Sequence, residues 1–177
     1  DVLRIDPPGF AEVAALLPEV TAGKRCAALD LTSADDRQRF TELVAEAHVV
    51  FCGYRPDAFE RLGFGPSGLH VINPALVVVT HDAYGWTGPW ATRRGFDSLV
   101  QMSTGIAAAG AEAAGVDAPR PLPCQALAHG TGHLLAAGAC RALTRLLRDG
   151  RACDVRGSLV GAANVVKSVP ASRPPRT

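Results

Sequence analysis

The sequence predicts an α/β domain organised around a mostly parallel sheet with flanking helices. Two observations carry this reading. Val49–Cys52 and Ala75–Thr80 are continuous apolar runs, which suits strands buried on both faces rather than one. Segments of helical periodicity alternate with the strand-like runs, as crossover connections between parallel strands require.

Taken in order, Val2–Ile5 reads as a strand running into the Pro7-Pro8-Gly9 turn, and Cys26–Leu31 as a second strand. Ser33 and Asp36 form an S-x-x-D capping signal, after which Phe40, Leu43, Val44 and Ala47 recur at helical spacing. Gly53 ends the strand Val49–Cys52. Asp57 opens a short helix carrying Phe59 and Leu62, which Gly63 stops. The stretch Gly63–Gly68 reads as a turn. Beyond Ala75–Thr80, helices are expected over Phe96–Ala109 and Gln125–Leu147, and a last strand over Ala152–Arg156. Ser158–Val166 is apolar and fits either strand or helix. Residues 1–166 form the expected domain core, and 167–177, rich in Pro, Ser and Arg, a loose tail or linker. The chain opens with Asp in what reads as mid-strand, so an excerpt of an incomplete domain is expected.

Composition removes several classes of function. With 177 residues, 47% of them apolar, the chain is long enough for one real core. Eighteen basic against seventeen acidic residues leave a formal charge of +1, so no bulk field exists for nucleic acid. No apolar run approaches the roughly 20 residues of a membrane span. Five cysteines, odd in number and without a Cys-x-x-Cys, argue against a disulfide framework and for a reducing, cytoplasmic setting. Most are expected to be small buried core residues.

Several motifs lead nowhere. Neither G-x-G-x-x-G after the first strand nor a P-loop occurs. Gly63–Gly68 lacks the Gly-x-Ser-x-Gly spacing of a nucleophile elbow. His129 and His133 would share one helix face, but the third ligand a zinc site needs is missing, so no metal is expected. His48, His70 and His81 stand beside strands or turns and read as structural.

An ordered series of short motifs says more. Val2–Gly9 comes first, followed by Gly23-Lys-Arg25, Leu29-Asp-Leu31, Gly53-Tyr-Arg-Pro56 and Ala58-Phe-Glu-Arg-Leu-Gly63. Asn73-Pro74, Ala83-Tyr-Gly85, Gly88–Asp97, Pro123-Cys-Gln-Ala-Leu127 and Thr131-Gly132 follow. In this order and spacing the chain closely resembles the family III CoA-transferases (CaiB/BaiF), the group containing formyl-CoA transferase and α-methylacyl-CoA racemase. The resemblance implies a Rossmann-like large domain, here incomplete. It also implies coenzyme A or an acyl-CoA as substrate, a carboxylic acid as second substrate, and no metal or prosthetic group. The partner implied is a second copy, in an interlocked homodimer, or a homologous subunit; neither nucleic acid nor membrane is implied.

The chemistry such a family implies is transfer of CoA between carboxylic acids. An aspartate attacks the thioester carbonyl, the carbon–sulfur bond breaks, and CoA thiolate leaves behind an aspartyl anhydride. Water must be kept out, since an anhydride hydrolyses. The family's nucleophile stands four residues before the Gly of a small-residue segment opening a long helix. In Gln125-Ala-Leu-Ala-His-Gly-Thr-Gly132 that position is Ala128. The resemblance further implies CoA contacts from Leu29, Asp30, Leu31 and Thr32, from Gly53, Tyr54 and Arg55, and from Arg61 and Arg94. Pro7 departs from an Arg that some members carry. A non-catalytic CoA-binding or dimerisation module is the alternative reading. A racemase-like isomerase is weaker, because its acid–base pair of Asp and His would fall on Ala128 and Phe96.

Overall fold

A computed structural model describes residues 1–54, 56–91 and 93–169. The strands are β1 (Leu3–Asp6), β2 (Arg25–Ala28), β3 (Val49–Cys52), β4 (Val77–Asp82) and β5 (Val155–Ser158). Between β1 and β2 a short 3-10 turn, Ala14–Leu16, leads into α1 (Leu17–Val20). The remaining helices are α2 (Ala34–Glu46), α3 (Pro56–Arg61), α4 (Pro66–Ile72), α5 (Asp97–Ser103), α6 (Ile106–Ala114), α7 (Ala126–Asp149) and α8 (Leu159–Ser168).

Every strand pairing is parallel, as the apolar runs predicted. The strands nevertheless form two sheets, not one. β1 pairs with β2, Leu3 opposite Arg25, and β3, β4 and β5 form a second sheet in that order, with Val79 opposite both Phe51 and Val155. β1 and β3 are joined only through side chains. Tyr54, just past β3, donates its hydroxyl to Asp6 Oδ1 at 2.8 Å, and Ile5 packs against the cluster that contains Cys52. Directly adjacent strands would lie about 4.8 Å apart and share backbone hydrogen bonds.

β4 is the axis of the core. Val77, Val78 and Val79 are at most 1% exposed. Val78 joins Phe40, Val44, Cys52, Phe64, Leu69 and Leu76 beneath α2 and α4. On the other face Val77 and Val79 meet Leu135 and Ala142 of α7. Gly138 lets that helix close on β5: a Cβ there would stand 2.7 Å from Val155 Cγ1. A third cluster joins Ala83, at the end of β4, to Val100, Ile106, Leu127, Leu159, Ala162 and Ala163. β1 and β2 have no such cover, and β2 is exposed along its whole length.

Four local expectations change. The helix expected over Phe96–Ala109 is two, because Gly105 adopts φ +82° and breaks it. Gly63–Gly68 is not only a turn: Pro66 opens α4, and a Cβ on Gly68 would lie 2.0 Å from the Gly63 carbonyl oxygen. Ser33 sits at the N-cap of α2 without a side-chain bond, and Asp36 instead accepts the Asp30 amide at 2.7 Å. Of the cysteines only Cys52 is buried; Cys26, Cys124 and Cys140 are exposed, on a strand without cover, a loop and a helix's outer face. Ser158–Val166 resolves as helix, with Ser158 Oγ accepting the Gly161 amide at 3.0 Å.

Candidate functional site

Parallel strands align their carboxyl ends, and the segments singled out in the sequence leave from those ends. That is the edge where open α/β folds bind ligands. Leu29–Thr32 follow β2 as a hydrogen-bonded turn. Leu29 donates its amide to the Asp6 carbonyl at 3.0 Å, and Asp30 Oδ1 accepts from the Thr32 amide at 2.9 Å and the Thr32 hydroxyl at 2.7 Å. Those two donors, the hydroxyl above all, hold the Asp30 carboxyl below its ordinary pKa.

Gly53 and Tyr54 follow β3. The Tyr54 ring stacks on Phe59 at 6.3 Å and meets Phe10 edge-on at 6.0 Å. Burial, aided by the bond to Asp6, pushes the Tyr54 phenol up to about 12. Arg55 lies outside the described residues. Arg61 closes α3 on the surface, its Nη1 3.1 Å from Asp57 Oδ2. One residue the sequence did not single out ties these segments together: Arg37 donates to the Leu31 carbonyl at 3.3 Å and the Leu62 carbonyl at 2.8 Å, its guanidinium over the Phe64 ring.

A second group gathers beyond β4. Asp82 Oδ1 accepts the Gly85 amide at 2.7 Å, while burial raises the carboxyl's pKa. Gly95 lets the following segment pass close to β4: a Cβ there would stand 2.9 Å from Ala83 Cβ and 2.8 Å from the Tyr84 ring. This brings Arg94, exposed, and Phe96, 85% exposed, to the strand end. Beside them begins α7. Its Leu127 is fully buried against Ala83's cluster, whereas Ala128 is exposed.

What fixes position 128 is Asp97. This carboxylate is 4% exposed and accepts the Ala128 amide on Oδ2 at 2.6 Å and Gln101 Nε2 on Oδ1 at 2.5 Å. Gln101, itself 2% exposed, also donates to the Cys124 carbonyl at 3.2 Å and accepts the Leu122 amide at 2.7 Å. The start of α7 is thus clamped to α5 by a buried polar network. Only the i,i+4 spacing of Asp97 and Gln101 hints at it in the sequence, and nothing there names their partners.

The structure therefore brings together two sets: Leu29–Thr32 with Tyr54 and the end of α3, and Arg94, Phe96 and Asp97 with Ala128. Each set follows a strand, the first after β2 and β3 and the second after β4, and α3 and α7 both pack against β4. No hydrogen bond or ion pair joins Arg61 to Ala128 among the described residues. Chemically, position 128 offers a methyl group and a backbone amide already in use. The carboxylate beside it, Asp97, is buried with both oxygens engaged. Among the described residues no group of three or more His, Cys, Asp or Glu side chains is placed to hold a metal, and no helix is long and apolar enough to cross a membrane. His70 instead pairs with Asp154 at 2.8 Å.

The fold is that of an open α/β protein with parallel strand pairings. The profile of CoA-transferase family III matches residues 1–171, and the chain belongs to that family. It is 31% identical over 156 residues to the probable fatty acyl-CoA transferase Rv3272 of Mycobacterium tuberculosis, covering 88% of this chain and 39% of that protein. It is 32% identical over 115 residues to the acetyl-CoA:oxalate CoA-transferase of Acetobacter aceti, covering 59% and 30% respectively. Against the crystal structure of Rv3272 from M. tuberculosis the TM-score is 0.81, at 28% identity, over 95% of this chain and 48% of that one. The chain spans about half the length, or less, of these relatives.

Proposed function

We propose that this chain supplies the CoA-thioester-binding edge of a family III CoA-transferase, with the reactive position occupied by Ala128. The observation that carries the reading is the placement of residue 128. It is exposed at the first turn of α7, beside the end of β4, with its amide held by Asp97. A carboxylate there would meet an incoming thioester from a fixed backbone; a methyl group cannot attack. Leu29–Thr32, Gly53, Tyr54, Arg55, Arg61 and Arg94 are assigned to the CoA moiety, Arg61 and Arg94 countering its phosphates. The transfer itself moves CoA between carboxylic acids through an aspartyl anhydride, and in this reading it requires Asp at 128.

Calorimetry with CoA and acetyl-CoA tests the binding edge, and CoA exchange between acetyl-CoA and free carboxylates tests the chemistry. Saturable binding weakened about tenfold or more by Arg61→Ala is expected, as loss of a charge-assisted contact implies. Exchange is expected only after Ala128→Asp. Affinity indifferent to Arg61→Ala and Arg94→Ala, or exchange by the unaltered chain equal to that of Ala128→Asp, would overturn the assignment.

A second reading, a non-catalytic CoA-binding and assembly module, is favoured by one observation: large apolar side chains such as Phe51 and Phe96 are exposed, as an interface would use them. The racemase-like reading gains nothing, since Phe96 and Ala128 offer neither acid nor base.

A further inference from the structure

A groove of about 780 Å³ runs between the C-terminal half of α7 and the edge strand β5, away from the strand carboxyl ends. Arg141, Arg145 and Arg148 line it from one face of α7, at spacings of four and three residues, and Arg156 lines it from β5. The Gly138–Val155 approach described above brings helix and strand close enough for both to line one concavity.

None of Arg141, Arg145, Arg148 and Arg156 stands in an ion pair among the described residues. Two carboxylates also line the groove. These are Asp149 and Asp154, the latter bonded to His70, so the arginines outnumber the carboxylates there. The Arg156 guanidinium lies 5.7 Å from the Trp86 ring centroid, which orients it without neutralising it. The C-terminal dipole of α7 favours cations there and opposes an anion, but it amounts to about half a charge, so four arginines dominate.

The geometry points to a second anion site here, one for a ligand carrying consecutive phosphate groups, such as a nucleoside polyphosphate. Arg141 to Arg148 spans about 10 Å along the helix axis, more than one phosphate or carboxylate occupies. Guanidinium forks suit phosphate oxygens bidentately. A linear polyphosphate laid along α7 would meet Arg141, Arg145 and Arg148 in turn. Nothing in the family reading assigns this groove, and the CoA edge lies on other elements.

Calorimetry with inorganic tripolyphosphate, in the absence of CoA, tests it. One site per chain is expected, weakened at least tenfold by Arg145→Glu and by Arg148→Gln, and weakened by raising salt from 50 to 200 mM. Arg39→Glu, which alters an exposed and paired arginine on α2, should leave it unchanged. Circular dichroism of each variant confirms folding, and Arg148→Gln serves should Arg145→Glu not fold. Four results would overturn the proposal: no saturable binding; affinity untouched by both groove variants; equal loss with Arg39→Glu; or binding abolished by Arg61→Ala and competed by CoA. The last would place the polyphosphate at the strand ends and leave the CoA reading intact.

Discussion

Replacing Asp97 by asparagine should be almost as damaging as replacing it by alanine. Both carboxylate oxygens accept from donors that cannot turn round: the Ala128 amide at 2.6 Å and Gln101 Nε2 at 2.5 Å. An asparagine keeps one acceptor and sets its NH2 against the other donor. Flipping the Gln101 amide only moves the conflict, since Gln101 Oε1 accepts the Leu122 amide and Nε2 also serves the Cys124 carbonyl. Asp97→Ala removes two hydrogen bonds to a charged group and leaves the Ala128 amide without its partner. The cost is about 3 kcal/mol, and about 2 kcal/mol for the asparagine. For a domain of this size 3 kcal/mol lowers Tm by roughly 6–12 °C. Urea and thermal unfolding followed by circular dichroism measure both costs, and amide exchange at Ala128 reports the clamp directly. An asparagine variant within about 0.5 kcal/mol of the parent, or an unprotected Ala128 amide in the parent, would refute the network's role.

Two further outcomes follow from the fold. In a Tyr84→Phe background, alkaline titration of the phenol absorbance reports Tyr54 alone, and its midpoint should fall near the value of about 12 that burial and Asp6 impose. Because that folded pKa exceeds the ordinary value of about 10, the associated stability is fully present below pH ~10 and disappears as pH rises through the folded pKa; a midpoint near 10 with the fold intact would contradict the Tyr54–Asp6 contact. Light scattering should show the chain as a dimer or larger assembly, given exposed apolar residues such as Phe51 at 51% and Phe96 at 85%. A monodisperse monomer at micromolar concentration would remove the case for assembly.

How legible this was in the sequence differs by element. Val49–Cys52 and Val77–Val79 announce themselves because a strand covered on both faces needs apolar residues at every position. Leu3–Asp6 and Arg25–Ala28 carry the same local signal, yet nothing local says with which strand an edge pairs, so the split into two sheets was hidden. Gly105 and Gly68 are opaque for a related reason: one breaks a helix through its φ, the other admits the Gly63 carbonyl, and the sequence shows only glycine. The motif order singled out Arg61, Arg94 and Ala128, which lie on segments that follow the strands. Asp97, Gln101 and Arg37 stayed invisible because their partners are backbone groups, which leave no residue signature.

That last point bears on Ala128. Asp97 grips the main chain at 128, not its side chain, so the grip is indifferent to which non-proline residue stands there. The side chain at 128 is exposed, at the first turn of a helix where a carboxylate is electrostatically favoured by the dipole. Exchanging aspartate and alanine at this position therefore makes little demand on packing, whereas changing Asp97 would release the start of α7. The proposed reactive position and its backbone support are separable, with the buried carboxylate belonging to the support, so a methyl at 128 is compatible with an intact start to α7.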